Sequence, residues 1–150
     1  MTHRFTHKLR QRWLKVLAEA PADLLEKAWQ DVEEKPACTY LRPPETGMVM
    51  VRARTGGTGQ PFNLGEMTVS RCTVKIETGQ VGCGYAMGTN HRQVELIALF
   101  DALLQDSRCH SKLLNSVVAE LEILQKNREE TTAKKTASTK VDFFTMVRGD

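Results

Sequence analysis

Residues 91–106, HRQVELIALFDALLQD, constrain this chain more than any other stretch. Val94, Leu96, Ile97, Leu99, Phe100, Leu103 and Leu104 spread apolar side chains nearly all the way round a helix. A surface helix needs only one apolar stripe, so this one must be covered on more than one side. A single small sheet covers one side, and neighbouring helices or a partner must cover the rest. Asn90 followed by Gln93 supplies a capping pair at its start.

The sheet is predicted immediately upstream. Pro36, Pro43 and Pro44 end a helical pattern, and GMVMVRAR then begins a strand with Val49, Val51 and Ala53 facing one way and Met50, Arg52 and Arg54 the other. EMTVSRCTVKIETGQVGCGYAMG supplies two further strands around a turn at 77–80. On the central strand Glu66, Thr68, Ser70, Cys72, Val74 and Ile76 share one face, against Met67, Val69, Arg71, Thr73 and Lys75. The expected class is α+β: an antiparallel β-meander packed with several α-helices.

The helices before the sheet are amphipathic. THRFTHKLRQRWLKVLA is basic and free of acids until Glu19, which superficially matches a mitochondrial presequence. Its apolar residues Phe5, Leu9, Trp13, Val16 and Leu17 nevertheless form one stripe with strong anchors, as in a retained, core-facing first helix. In the next segment Pro21 stands near a helix start, where its missing N–H does no harm, and Leu24, Ala28 and Val32 align beside Leu25 and Trp29. Two short helices in succession permit a helix-turn-helix, but neither carries the dense arginine, asparagine and glutamine face that base reading requires.

After the apolar helix, SKLLNSVVAELEILQKN has a narrower stripe through Leu114, Val117, Leu121 and Leu124, too short for a coiled coil. REETTAKKTASTK has no hydrophobic periodicity and is expected as a solvated connector. The organisation is therefore a single α+β domain over 1–126, a polar connector over 127–140 and an apolar docking segment over 141–150. Val141, Phe143, Phe144, Met146 and Val147 crowd that last segment, which either returns to the sheet as a strand or docks on another chain.

The chemistry is sparse. RARTGGTGQPFNLGEM puts arginines beside glycines, yet it fails both nucleotide fingerprints: Gly59 is followed by Gln60, Pro61 and Phe62, not Lys and Ser or Thr, and Phe62 stands where a dinucleotide motif needs glycine. The plainer reading is a glycine-permitted connection between strands, stiffened by Pro61. The functional reading is anion holding by Arg52, Arg54 and Arg71 with backbone N–H groups at Gly57 and Gly59, provided the strand register brings the arginines together. Cys38, Cys72, Cys83 and Cys109 are scattered singly and are expected to be reduced, cytosolic and mostly packing residues. With His91 and His110 they show no paired metal-ligand spacing, so no metal is expected. No apolar run approaches the roughly 20 residues of a membrane span. The net charge of +3 is too modest to argue for nucleic acid by itself.

GMVMVRARTGGTGQPFNLGEMTVSRCTVKIETGQVGCGYAMG, then VELIALFDALLQ, then TKVDFFTMVRGD, together resemble the G-subunit family of the bacterial carbon–phosphorus lyase core complex, PhnG. The resemblance runs from the first helix to the last residue. The sequence departs from the family pattern at Cys83 and Gln93, where relatives tend to carry histidine, so neither position can host an indispensable catalytic histidine.

The resemblance implies a cytoplasmic role in phosphonate catabolism, with subunits H, I and J as partners and K and L associating. The implied reaction joins methylphosphonate to C1′ of the ribose of ATP, expels adenine and gives α-D-ribose 1-methylphosphonate 5-triphosphate. ATP is then a substrate of the complex, and no cofactor is expected on this chain. Displacing adenine builds oxocarbenium-like charge, and no acid, base or metal for that departure is evident here. Catalysis is therefore expected mainly in a partner, by resemblance subunit I. The competing reading is a nucleic-acid-binding module built on the basic first helix and the arginine-bearing strands.

Overall fold

The computed structural model describes residues 5–140 and bears out the α+β expectation. In chain order the elements are α1 (His7–Glu19), α2 (Ala22–Gln30), β1 (Cys38–Arg54), a 3₁₀ turn (Thr55–Gly57), β2 (Pro61–Ile76), β3 (Val81–Met87) and α3 (His91–Leu104). α4 (Ser107–Leu113), a π-helical stretch (Leu114–Val118) and α5 (Ala119–Ser138) follow. The strands form one antiparallel sheet in the order β1-β2-β3.

The apolar helix α3 is the hub of this arrangement. It packs on β3 and β2 from one side and meets α1, α2 and α4 on others. Ten of its fourteen residues are buried, including Leu96, Ile97, Phe100 and Leu104, so its nearly uniform apolar surface is satisfied largely within the chain. Asn90 caps it by accepting a hydrogen bond from the Gln93 backbone N–H at 3.1 Å. The Gln93 side chain does not complete a reciprocal box; its amide donates to the Ala20 carbonyl at 2.9 Å and ties α3 to the end of α1.

The contact between α3 and β3 explains the spacing in VGCGY. A Cβ on Gly82 would lie 1.9 Å from the Ala98 carbonyl oxygen, and one on Gly84 1.9 Å from that of Val94. Glycines two residues apart thus clear one face of the strand, and the helix backbone settles onto it. On the neighbouring β2, Ser70, Cys72, Val74 and Ile76 are buried toward the same layer, as the alternation predicts, while Arg71 and Lys75 are exposed.

Two differences from the sequence reading have clear physical causes. β1 begins at Cys38, well before Gly47, and runs through Pro43 and Pro44. It is an edge strand, and register shifts between Tyr40, Arg42 and Glu45 bracket the prolines, so their missing N–H groups interrupt no inner ladder. The segment 127–138, expected as a connector, continues α5 as helix. Its solvated character is as composition suggests, since every residue from Lys126 to Lys140 is exposed. Helix-favouring Ala, Glu and Lys, with Glu130 and Lys134 at i,i+4 spacing, carry the backbone order onward. Residues 141–150, with the apolar cluster from Val141 to Val147, lie outside the described residues.

Candidate functional site

β3 pairs with β2 only between Val69 and Lys75. Beyond it, among the described residues, Met48–Arg54 of β1 and Pro61–Thr68 of β2 pair only with one another, as a two-stranded ribbon. Met48, Met50, Phe62, Leu64 and Met67 on this ribbon are all exposed, Leu64 by 65% and Met48 by 63%. An isolated two-stranded hairpin is marginal in water, and methionine-rich surfaces adapt readily to a facing surface. The ribbon therefore has the composition of an interaction arm.

Its tip is the glycine segment. Gly56 and Gly57 have φ of 61° and 79°, the left-handed conformation that glycine adopts without strain. Gly59 donates its N–H to the Thr55 carbonyl at 2.9 Å, closing the turn, so that amide is not free for an anion. The plain reading of the segment as a strand connection therefore holds, and Gly59 drops out of the expected cradle. Arg52 and Arg54 are exposed at the base of the turn, opposite Asn63 and Pro61.

Arg71 is not with them. It lies opposite Glu45, eight residues along β2 from Asn63, which at about 3.3 Å per residue is roughly 25 Å away. Its Nε donates to Glu45 Oε1 at 2.6 Å. The register thus separates the expected trio: Arg52 and Arg54 form one exposed pair, and Arg71 belongs to a surface ion pair on the body.

The basic first helix is also engaged internally. Arg10 donates from Nη2 to Asp101 Oδ2 at 2.8 Å and from Nε to Oδ1 at 3.2 Å, while Arg12 holds Glu122 in a two-pronged contact at 2.6 and 2.7 Å. Arg12 draws the Glu122 carboxyl below its ordinary range, and Asp101 raises the Arg10 guanidinium. Two of the helix's charges are therefore neutralised by the fold, which counts against that helix as a phosphate-backbone surface.

Asp101 was not singled out from the sequence. It is fully buried in α3 and also accepts from Trp13 Nε1 at 2.8 Å and from the Cys83 backbone N–H at 2.9 Å. The signal was present, because one carboxylate inside an otherwise apolar helix must find partners. Its partners saturate both oxygens and tie α1, α3 and β3 together, a positioning role with no access for a substrate.

A second polar cluster sits at the start of α3. His91 Nε2 meets Thr46 Oγ1 at 2.8 Å, Thr46 meets Ser70 Oγ at 3.2 Å, and Ser70 donates to the Gly88 carbonyl at 2.8 Å. Nearby, the Tyr40 hydroxyl hydrogen-bonds Glu95, which also accepts from Arg92. The hydrogen bond to the Glu95 carboxylate pushes the Tyr40 phenol up to about 12. His110 is placed otherwise: Phe5 stacks on it with centroids 4.1 Å apart, and its Nδ1 meets the Leu104 carbonyl at 2.7 Å. All four cysteines are free, but packing accounts for fewer than expected: Cys72 is buried, Cys109 half-buried, and Cys38 and Cys83 exposed. Burial pushes the Cys72 thiol up to about 11, away from reactivity. Among the described residues no three His, Cys, Asp or Glu side chains gather as a metal-ligand set.

Fold and surface together define an α+β domain whose polar clusters serve its own architecture and whose projecting ribbon exposes apolar side chains such as Met48 and Leu64. Residues 8–149 match the family model described as "Phosphonate metabolism protein PhnG". The chain belongs to the PhnG family. A relative in Rhizobium meliloti (strain 1021), alpha-D-ribose 1-methylphosphonate 5-triphosphate synthase subunit PhnG, is 44% identical over 141 residues, covering 94% of this chain and 90% of the relative. The resemblance read from the central and terminal motifs is thereby borne out.

Proposed function

We propose that this chain is a required, non-autonomous subunit of an assembly that makes α-D-ribose 1-methylphosphonate 5-triphosphate from methylphosphonate and ATP, with release of adenine. The observation that carries the reading is the 44% identity to a synthase subunit over nearly the full length of both chains. The projecting ribbon supports it, because its exposed methionines and Leu64 suit burial against another protein.

The chain's own contribution is docking and, through Arg52 and Arg54, electrostatic holding of an anionic substrate. Forked guanidinium donors suit phosphonate and triphosphate oxygens. Leaving-group departure at C1′ belongs to a partner, subunit I in the resembling complex, with H and J beside it and K and L associating. This is cytoplasmic chemistry, since ATP is a substrate, and the chain itself holds no cofactor.

Co-purification tests the proposal. Tagged chain from bacteria grown on methylphosphonate should bring down stoichiometric partners, and its deletion should abolish growth on that phosphorus source. Recovery of a stable monomer that performs the transfer unaided would overturn the proposal.

A further inference from the structure

A groove of about 520 Å³ runs between α2 and the rod formed by α4, the π-helical stretch and α5. Its apolar wall includes Leu24, Val32, Leu113, Val117, Leu121 and Leu124. Val117 and Leu121 are buried, whereas Leu124 is 51% exposed. The described helices thus leave part of this wall open to solvent.

The charge around the groove runs against the balance of the chain, whose net charge is +3. Two of the bases beside it are taken up within the fold, Arg108 by Asp106 at 2.9 Å and Lys112 by Glu33 at 3.3 Å. Among the described residues, Asp31, Glu34, Glu77 and Glu120 line the groove, exposed and without an ion pair, against Lys27 and Lys35. Lys35 is also engaged by its own chain: its Nζ donates to the Val32 carbonyl at 2.9 Å and lies 5.9 Å from the centre of the Trp29 ring. An apolar wall is therefore bordered by a local excess of free carboxylates, which favours a cationic visitor.

The wall also selects the visitor's backbone. Apolar side chains offer no hydrogen-bond partners, so an extended segment laid on them would bury unsatisfied N–H and C=O groups. A helix satisfies its own. Leu113 and Leu124 are eleven residues apart, about 16 Å along the rod, which matches roughly three turns of an incoming helix. Apolar anchors at i, i+4 and i+7 on that helix would face the wall, and lysines or arginines beside them would meet the free carboxylates.

We infer that the α2–α4–α5 groove receives an amphipathic helix of a partner protein, about three turns long, whose apolar stripe is flanked by lysine or arginine. This surface shares no residue with the ribbon, and the inference does not depend on which reaction the assembly performs.

The experiment titrates the full chain with two fluorescent probe peptides of about 14 residues, near the length at which an isolated helix becomes stable. Both carry leucines at i, i+4 and i+7; one is flanked by lysines and the other by glutamates. The lysine peptide should bind at least tenfold more tightly. In Asp31→Lys/Glu34→Lys/Glu120→Lys the preference should reverse, a gain that a misfolded variant does not give. Glu66→Lys/Glu129→Lys/Glu130→Lys makes the same change in net charge at exposed positions off the groove and should alter lysine-peptide binding by less than about twofold. A photo-reactive residue in place of Leu124 should cross-link, among the proteins that co-purify with the chain, to a segment of another protein with the basic amphipathic pattern. Equal binding of the two peptides, or an equal loss in the two triple variants, overturns the proposal. So does binding that requires removal of residues 141–150, or a cross-link confined to this protein's own sequence or to a partner segment without the pattern. If nothing co-purifies, the proposed function fails while the peptide contrast still decides the groove.

Discussion

Trp13 and Asp101, 88 residues apart in sequence, meet through an indole N–H that donates to the buried carboxylate at 2.8 Å. With Arg10 and the Cys83 backbone N–H, this contact makes a single side chain the junction of α1, α3 and β3. Breaking a buried ion pair by removing one partner is strongly destabilising. Asp101→Asn should therefore lower unfolding free energy in urea by about 3 kcal/mol, at the low end of that class because Arg10 can turn toward solvent. A change within experimental error would show that the charge is dispensable.

The close seat of α3 on β3 predicts an asymmetric response among glycines. Gly84→Ala should cost about 3 kcal/mol or more, because the added Cβ meets the Val94 carbonyl and helix backbone cannot yield as a side chain can. Gly47→Ala has nothing within 4 Å and should stay within about 0.5 kcal/mol. Thermal melts of the two variants distinguish them directly.

Tyr40 carries a pH signature. The Glu95 carboxylate holds its phenol proton and raises the folded value to about 12, whereas an unfolded tyrosine titrates near 10. The protonated form is favoured by folding, so the stabilisation is complete below about pH 10 and is lost as pH rises toward 12. The chain has two tyrosines, so Tyr85→Phe leaves Tyr40 alone to be followed by its phenolate absorbance. Glu95→Gln should bring the midpoint down toward 10.

Under the proposed function, substitutions on the ribbon separate docking from substrate holding. Met50→Asp and Leu64→Asp alter exposed positions, so the isolated fold should change by less than about 0.5 kcal/mol while recovery of partners falls at least tenfold. Arg52→Ala with Arg54→Ala should leave partner recovery intact and lower methylphosphonate use by about tenfold or more, the scale of one lost charged hydrogen bond. Unchanged phosphonate use would return both arginines to ordinary surface residues.

Much of the body was legible because its signals are local. The stripe from Phe5 to Leu17, the all-round apolar surface of α3 and the alternation from Ser70 to Ile76 each report burial through a short period along the chain. The candidate site was less legible. Arg52, Arg54 and Arg71 look equivalent in sequence, and only the pairing of Arg52 with Asn63 and of Arg71 with Glu45 separates them. Gly59 reads as a possible anion donor until its N–H is found closing the turn on Thr55. The helical course of 127–138 was missed because a hydrophobic stripe reports burial, and a helix that buries nothing leaves no stripe.

Sequence alone determined the class of this protein, its order of helices and strands, its family and the apolar demand of α3, since periodicity and motif are properties of neighbours along the chain. Tertiary structure decided which charges are engaged, where the arginines stand and how much apolar surface stays uncovered. Those are properties of register and packing between residues such as Arg10 and Asp101, 91 positions apart, and no local pattern specifies them.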